Sequence, residues 1–164
     1  MRAGWLVLLM GVMLTGCTTA SRTGKSLSAE QTNNPEWQGR ISVQVQGSHP
    51  SSMSASFSLR GDAKSGELDL YSPLGTTLAA LQWTPQRVQF SDGGKQQFFN
   101  SLNELTERAT GAALPVDAIF DWLQGHDVQA TGWLADLSAA PQGTVTARRI
   151  SPAPEVMLRI KLDQ

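Results

Sequence analysis

The sequence predicts an α+β domain that is mainly β: an antiparallel sheet with short helices on one face. Three observations predict it. Several runs alternate apolar and polar residues with a period of two. Two short segments in the middle of the chain carry apolar residues at helical spacing. The order along the chain is strands, then helices, then strands, which favours helices gathered on one side of an antiparallel sheet.

Ile41, Val43 and Val45 alternate with Ser42, Gln44 and Gln46. Met53, Ala55, Phe57 and Leu59 alternate with Ser54, Ser56 and Ser58, and Leu68 and Leu70 alternate with Glu67, Asp69 and Tyr71. Each run reads as a half-buried strand. Next comes Ser72-Pro73-Leu74-Gly75-Thr76, a Pro/Gly turn with a leucine where turns usually carry polar residues. The run 77–83, TLAALQW, reads as a strand apolar on both faces. Val88 and Phe90 continue the pattern, and Ser91-Asp92-Gly93-Gly94 is a hairpin signal.

Ser101-Leu102-Asn103-Glu104 fits a capping box, in which hydroxyl and carboxylate satisfy free N–H groups at a helix start. Leu102, Leu105 and Ala109 follow helical spacing, and Gly111 suits a left-handed helix end. A second helix starts near Pro115 or Val116, with Pro suited to a first turn. Val116, Ile119, Phe120 and Leu123 form its apolar face, and Gly125 ends it. Val156, Leu158, Ile160 and Leu162, alternating with Met157, Arg159, Lys161 and Asp163, make the clearest strand of the chain.

The chain has 164 residues with 13 Lys+Arg and 14 Asp+Glu, a net charge of −1. It carries no basic stripe for nucleic acid. Residues 35–164 are expected to form one domain, large enough for a core. The start is different in kind. Arg2, an apolar run from Trp5 to Leu14 and then small residues have the layout of a secretory signal over residues 1–16. That run is too short to span a bilayer core of about 30 Å. Leu14-Thr15-Gly16-Cys17 resembles a bacterial lipobox, and Cys17 is the only cysteine. The lipobox reading makes Cys17 an acylated N-terminus after cleavage. The alternative is an ordinary signal with an unexplained free thiol. Thr18 after the cysteine, instead of the Asp that commonly retains bacterial lipoproteins in the inner membrane, suggests export to the outer membrane. Residues 17–34 are polar and Ser/Thr-rich, and read as the acylated cysteine with a flexible tether.

Enzyme chemistry finds little support. Thr23-Gly24-Lys25-Ser26 looks like the end of a P-loop, but the first glycine of that motif falls on Thr19 and no strand precedes it. His49 and His126 belong to no nucleophile–base or metal spacing, and no G-x-S-x-G elbow is present. No cofactor and no metal site are expected.

Taken in order, the motifs resemble the LolB family. They are the lipobox at Cys17, Trp37, Gly39, Arg40, Ile41 and Ser42 as W-x-G-R-I-S, and 68–76 as L-x-L-Y-S-P-L-G-T. Then come Gly111, Leu114, Pro115 and Val116, Trp122, Leu123 and Gly125, the pair Gly132-Trp133, and a final L-R-I-K-L-D strand. The resemblance covers nearly the whole chain. Two departures stand out: the segment between Trp133 and Val156 is short, which leads us to expect one trimmed outer strand, and Gln164 ends the chain without the family's final Trp.

The resemblance implies a half-open antiparallel barrel, LolA/LolB-like, with short helices covering an apolar cavity that holds acyl chains. It implies a lipid-anchored, periplasm-facing outer-membrane protein, expected to be monomeric. Such a protein would accept lipoproteins from the periplasmic carrier LolA and insert them into the outer membrane. Val43, Val45, Phe57, Leu59, Leu68 and Leu70 could line the cavity or fill a solid core. The resemblance assigns Leu74, mounted between Pro73 and Gly75, to membrane insertion; from the residues alone, an isolated exposed leucine carries no function. The rival reading is an outer-membrane lipoprotein that binds a small amphiphile or serves as an assembly scaffold.

Overall fold

The structure, a computed structural model, describes residues 35–163. The signal, Cys17, the tether and the Thr23–Ser26 fragment lie outside the described residues. The order is β1 (Glu36–Gln46), β2 (Ser51–Gly61), β3 (Gly66–Tyr71), β4 (Thr77–Thr84), β5 (Arg87–Asp92), β6 (Lys95–Phe99), α1 (Leu102–Thr110), α2 (Val116–Leu123), β7 (Trp133–Asp136), β8 (Thr144–Arg149) and β9 (Glu155–Leu162). The strands form one sheet in the order β6-β5-β4-β3-β2-β1-β9-β8-β7. Each neighbouring pair is antiparallel. β6 and β7 are edges and do not pair with each other, so the sheet is open, as a half-open barrel requires.

Period-two patterning sets which face is inside. Val43 lies opposite Leu158 and Val45 opposite Val156, all four buried. Ala55, Phe57 and Leu59 continue the same face on β2. β4 alternates as well: Ala79, Leu81 and Trp83 point inward, Gln82 and Leu78 outward. The expected two-faced strand is therefore one-faced. Its outward leucine falls where the β3–β4 register shifts, Leu70 pairing with Ala79 and Tyr71 with Thr77. At the β5–β6 turn, Gly93 and Gly94 both take positive φ and join Asp92 to its partner Lys95.

β6 and β8 left weak traces in the sequence. β6 buries only Phe99, and the inward face of β8 is Val145, Ala147 and Arg149, which mixes small and charged residues. The Arg149 side chain is buried because its Nε and Nη2 both donate to the Pro154 carbonyl at 3.2 Å. β7, the outer strand of the shortened region, has four residues.

Successive connections alternate between two ends of the sheet. Turns 47–50 and 93–94 and the loop 72–76 lie at one end, and turns 62–65 and 85–86 at the other. β3 starts at Gly66, which faces Trp83 across the pair. A Cβ on Gly66 would lie 2.6 Å from Cζ2 of that indole and closer still to the Arg60 carbonyl. The ring lies against the bare backbone of Gly66, which fixes where Trp83 enters the interior. Gly66→Ala is expected to lower unfolding stability by about 1–3 kcal/mol through overpacking. Urea denaturation followed by circular dichroism measures it.

Candidate functional site

The two helices cover the concave face of the sheet. Ser101 caps α1: its Oγ accepts the Glu104 N–H at 3.1 Å. The Glu104 carboxylate reaches back past Ser101 to accept the Asn100 N–H at 3.0 Å, one residue further than a capping box predicts. Gly111 ends the helix with φ 84, donating to the Glu107 carbonyl. Pro115 sits at the N-cap of α2 instead of in its first turn, with Val116 the first helical residue.

α2 is apolar around most of its surface. Ala118, Phe120 and Trp122 are buried, and the Trp122 indole donates to the Val128 carbonyl at 3.0 Å. Val116, Ile119 and Leu123, with Phe120, face the sheet across a gap. That gap is a cavity of about 100 Å³. Ile41, Phe57, Leu59, Leu68, Leu81, Trp83 and Ile160 form its sheet wall. Leu102, Thr106, Leu114, Val116, Ile119, Phe120 and Leu123 form the helical wall. Thr106 is the one polar side chain, and it is already partnered. Its hydroxyl donates to the Asn103 carbonyl and accepts the Leu114 N–H, both at 3.1 Å. The wall therefore offers no free hydrogen-bonding group to an occupant.

Of the sequence candidates for this wall, Phe57, Leu59 and Leu68 stand on it. Val43 and Val45 are buried in core outside the cavity, and Leu70 is half-buried outside it. Missed as wall residues were Ile41, Leu81, Trp83 and Ile160, and the whole helical side. The signal for α2 was present, because the face read as apolar, Val116, Ile119, Phe120 and Leu123, is the face that meets the cavity. The aromatic corner is tightly held. The Phe120 ring stacks edge-on to Trp37 at 5.6 Å and tilts against Trp83 at 6.2 Å. The Trp83 indole donates to the Asp62 carbonyl at 2.9 Å. Asp62 in turn closes its own turn, its Oδ1 accepting the N–H groups of Lys64 and Ser65.

The 72–76 loop has a different character. Leu74 is 93% exposed. The Gly75 N–H donates to the Ser72 carbonyl at 2.9 Å, closing a turn that places Pro73 and Leu74 at its two corners. The Ser72 N–H donates to the Thr76 carbonyl at 2.8 Å. Ser72 Oγ accepts the N–H groups of Leu74 at 3.3 Å and Thr76 at 3.2 Å. Pro73 has no N–H, so every backbone donor from Ser72 to Thr76 is satisfied inside the loop. Gly75 has φ 80, a conformation glycine adopts without strain. At the base of the loop, burial first and then Asp69 nearby push the Tyr71 phenol above its ordinary pKa.

Comparison with known proteins gives the family of the chain. The family model described as "Outer membrane lipoprotein LolB" matches residues 34–151. The chain belongs to the LolB family. The outer-membrane lipoprotein LolB of Bordetella petrii is 25% identical over 98% of this chain and 92% of its own length. That of Cupriavidus metallidurans is 28% identical over 79% of this chain and 65% of its own length, and that of Serratia proteamaculans 27% over 80% and 69%. LolB membership makes the chain an outer-membrane lipoprotein. The W-x-G-R-I-S and P-L-G motifs lie at two distinct places in the fold. Trp37 supports the aromatic corner beside the cavity, and Leu74 tips the loop at the far end of the β3–β4 pair.

Phe120→Ala removes the ring between the two tryptophans. It is expected to cost about 3–5 kcal/mol of stability. It should also enlarge the cavity past the roughly 150 Å³ that takes benzene. Thermal unfolding with and without benzene reads both effects: benzene should raise the Tm of the variant and leave the parent unchanged.

Proposed function

We propose that the domain shelters the acyl chains of lipoproteins in transit, receives them from the periplasmic carrier LolA and releases them into the outer membrane. The observation that carries this is the cavity wall, apolar on the sheet and helical sides, with its one hydroxyl already hydrogen-bonded. Exposing an acyl chain to water costs roughly 0.8 kcal/mol per CH₂, so a lipoprotein passes from one apolar shelter to the next. The step is transfer, with no bond made or broken. Its direction follows from rising affinity along carrier, cavity and bilayer.

In the arrangement described the cavity is smaller than the roughly 150 Å³ that one benzene ring fills. An acyl chain therefore enters only as the helices move off the sheet. Val116, Ile119 and Leu123 are only half-buried against this wall, so parting there loses less than in a packed core, while Phe120 must leave its place between Trp37 and Trp83. The protein itself is held by acylated Cys17 after removal of residues 1–16, and residues 17–34 form the tether. More than one acyl chain gives an anchor that does not dissociate readily.

Leu74, on its Pro73–Gly75 mount, enters the lipid interface at the moment of release. Loop backbone that goes into a lipid interface must not carry bare N–H groups, since unpaired donors in an apolar medium cost several kcal/mol each. The internal bonding of 72–76 meets that requirement, leaving Leu74 as the part that gains from insertion. Burying it contributes roughly 1.5–3 kcal/mol, where about 1.4 kcal/mol is tenfold. Leu74→Glu in the full chain, reconstituted into liposomes and supplied with carrier-bound lipoprotein, should take cargo from the carrier normally. Its rate of insertion should fall about tenfold or more. Insertion at the parent rate would remove Leu74 from the mechanism.

A further inference from the structure

Beside the apolar cavity, at the 62–65 end of the sheet, lies a second, open cleft of about 410 Å³. The two share Trp83, Leu102 and Val116 in their linings, so they lie side by side with those three side chains between them. Their chemistry differs. The outer cleft adds Lys64 from the β2–β3 turn, Asn103 from α1 and Asp117 from the first turn of α2. Among the described residues none of these three side chains has a hydrogen-bond or ion-pair partner within the chain. The Lys64 turn is also held in shape, because the Asp62 carboxylate ties its backbone and the Asp62 carbonyl ties Trp83.

We propose that this cleft is a vestibule that binds the polar head of the cargo, the acylated cysteine and first peptide groups of a lipoprotein whose chains occupy the cavity. The proposal rests on the acyl-shelter reading and adds a second subsite to it. The head of such a cargo carries ester and amide carbonyls, which only accept hydrogen bonds, and amide N–H groups, which only donate. Lys64 supplies donors, Asp117 supplies acceptors, and the Asn103 amide supplies both. The set is matched to an uncharged amide-and-ester head. The vestibule thus distinguishes a chain that carries an acylated peptide head from a bare acyl chain, which the apolar wall alone cannot do.

The test compares two ligands on the full chain carrying Cys17→Ala, so that its own anchor does not compete. One is a synthetic triacylated cysteinyl peptide, and the other is hexadecanol, a neutral chain without the head. Lys64→Glu and Asp117→Lys are each read for affinity by displacement of a fluorescent fatty alcohol. Circular dichroism checks the fold. Both positions are exposed, so the fold should persist. Each variant should lose about tenfold in affinity for the lipopeptide and stay within about twofold for hexadecanol, roughly 1.4 kcal/mol of selective loss. Equal lipopeptide affinity in parent and variants overturns the vestibule and leaves the cavity intact. Failure of the parent to bind either ligand overturns the acyl-shelter reading itself, and the vestibule with it.

Discussion

The rest of the structure depends on a mismatch of length. β1 and β2 each run eleven residues, about 36 Å of strand at roughly 3.3 Å per residue. The helices that must cover their concave face have nine and eight residues, about 14 and 12 Å at 1.5 Å per residue. A lid that short cannot fill the face it covers. Where α1 ends, Ser51 Oγ donates to the Thr110 carbonyl at 3.0 Å and ties the helix to β2. There Val43 and Val45 are fully packed. Further along, toward Trp83 and Phe120, the cavity lies between helix and sheet. The open edges at β6 and β7 belong to the same economy of secondary structure, since closing the sheet would confine the lid.

The ends of the sheet are consequently unequal. The eight residues of β4 span about 26 Å and separate the 72–76 loop from the turns near Trp83. One end carries an apolar side chain on a loop with no free N–H. The other carries a polar cleft that borders the apolar interior at Trp83, Leu102 and Val116. Within the proposed transfer, contact with the bilayer and contact with the head of the cargo fall to different ends of one molecule. The sheet between them acts as the rigid spacer.

The fold was largely legible because period-two alternation in β1, β2, β3 and β9 records which residues face inward, and Ser101, Gly111 and Gly125 mark helix ends by local chemistry. β8 was not legible, since its inward residues include Ala147 and the buried Arg149, whose acceptor, the Pro154 carbonyl, lies across a turn. The site was legible by halves. Alternation puts Val43, Phe57 and Leu68 on the same face but does not say where along that face the helices fall short, so solid core and cavity wall look alike in sequence. The face of α2 that meets the cavity was readable as an apolar stripe, while its role waited on the fold. Leu74 stood out in its turn, but only the family's P-L-G pattern lifted it above an ordinary exposed leucine. The hydrogen bonds that Ser72 makes around it required coordinates.

The central claim is that the helices part from the sheet to admit acyl chains. Spin labels at Gln82, on the outer face of β4, and Gln124, at the end of α2, bracket the cavity from its two sides. Pulsed electron-spin distance measurement on the full chain, with and without a triacylated cysteinyl peptide, reads the separation directly. The account predicts a longer distance, by several ångströms, when the lipopeptide is bound. An unchanged distance distribution with the lipopeptide demonstrably bound would contradict it.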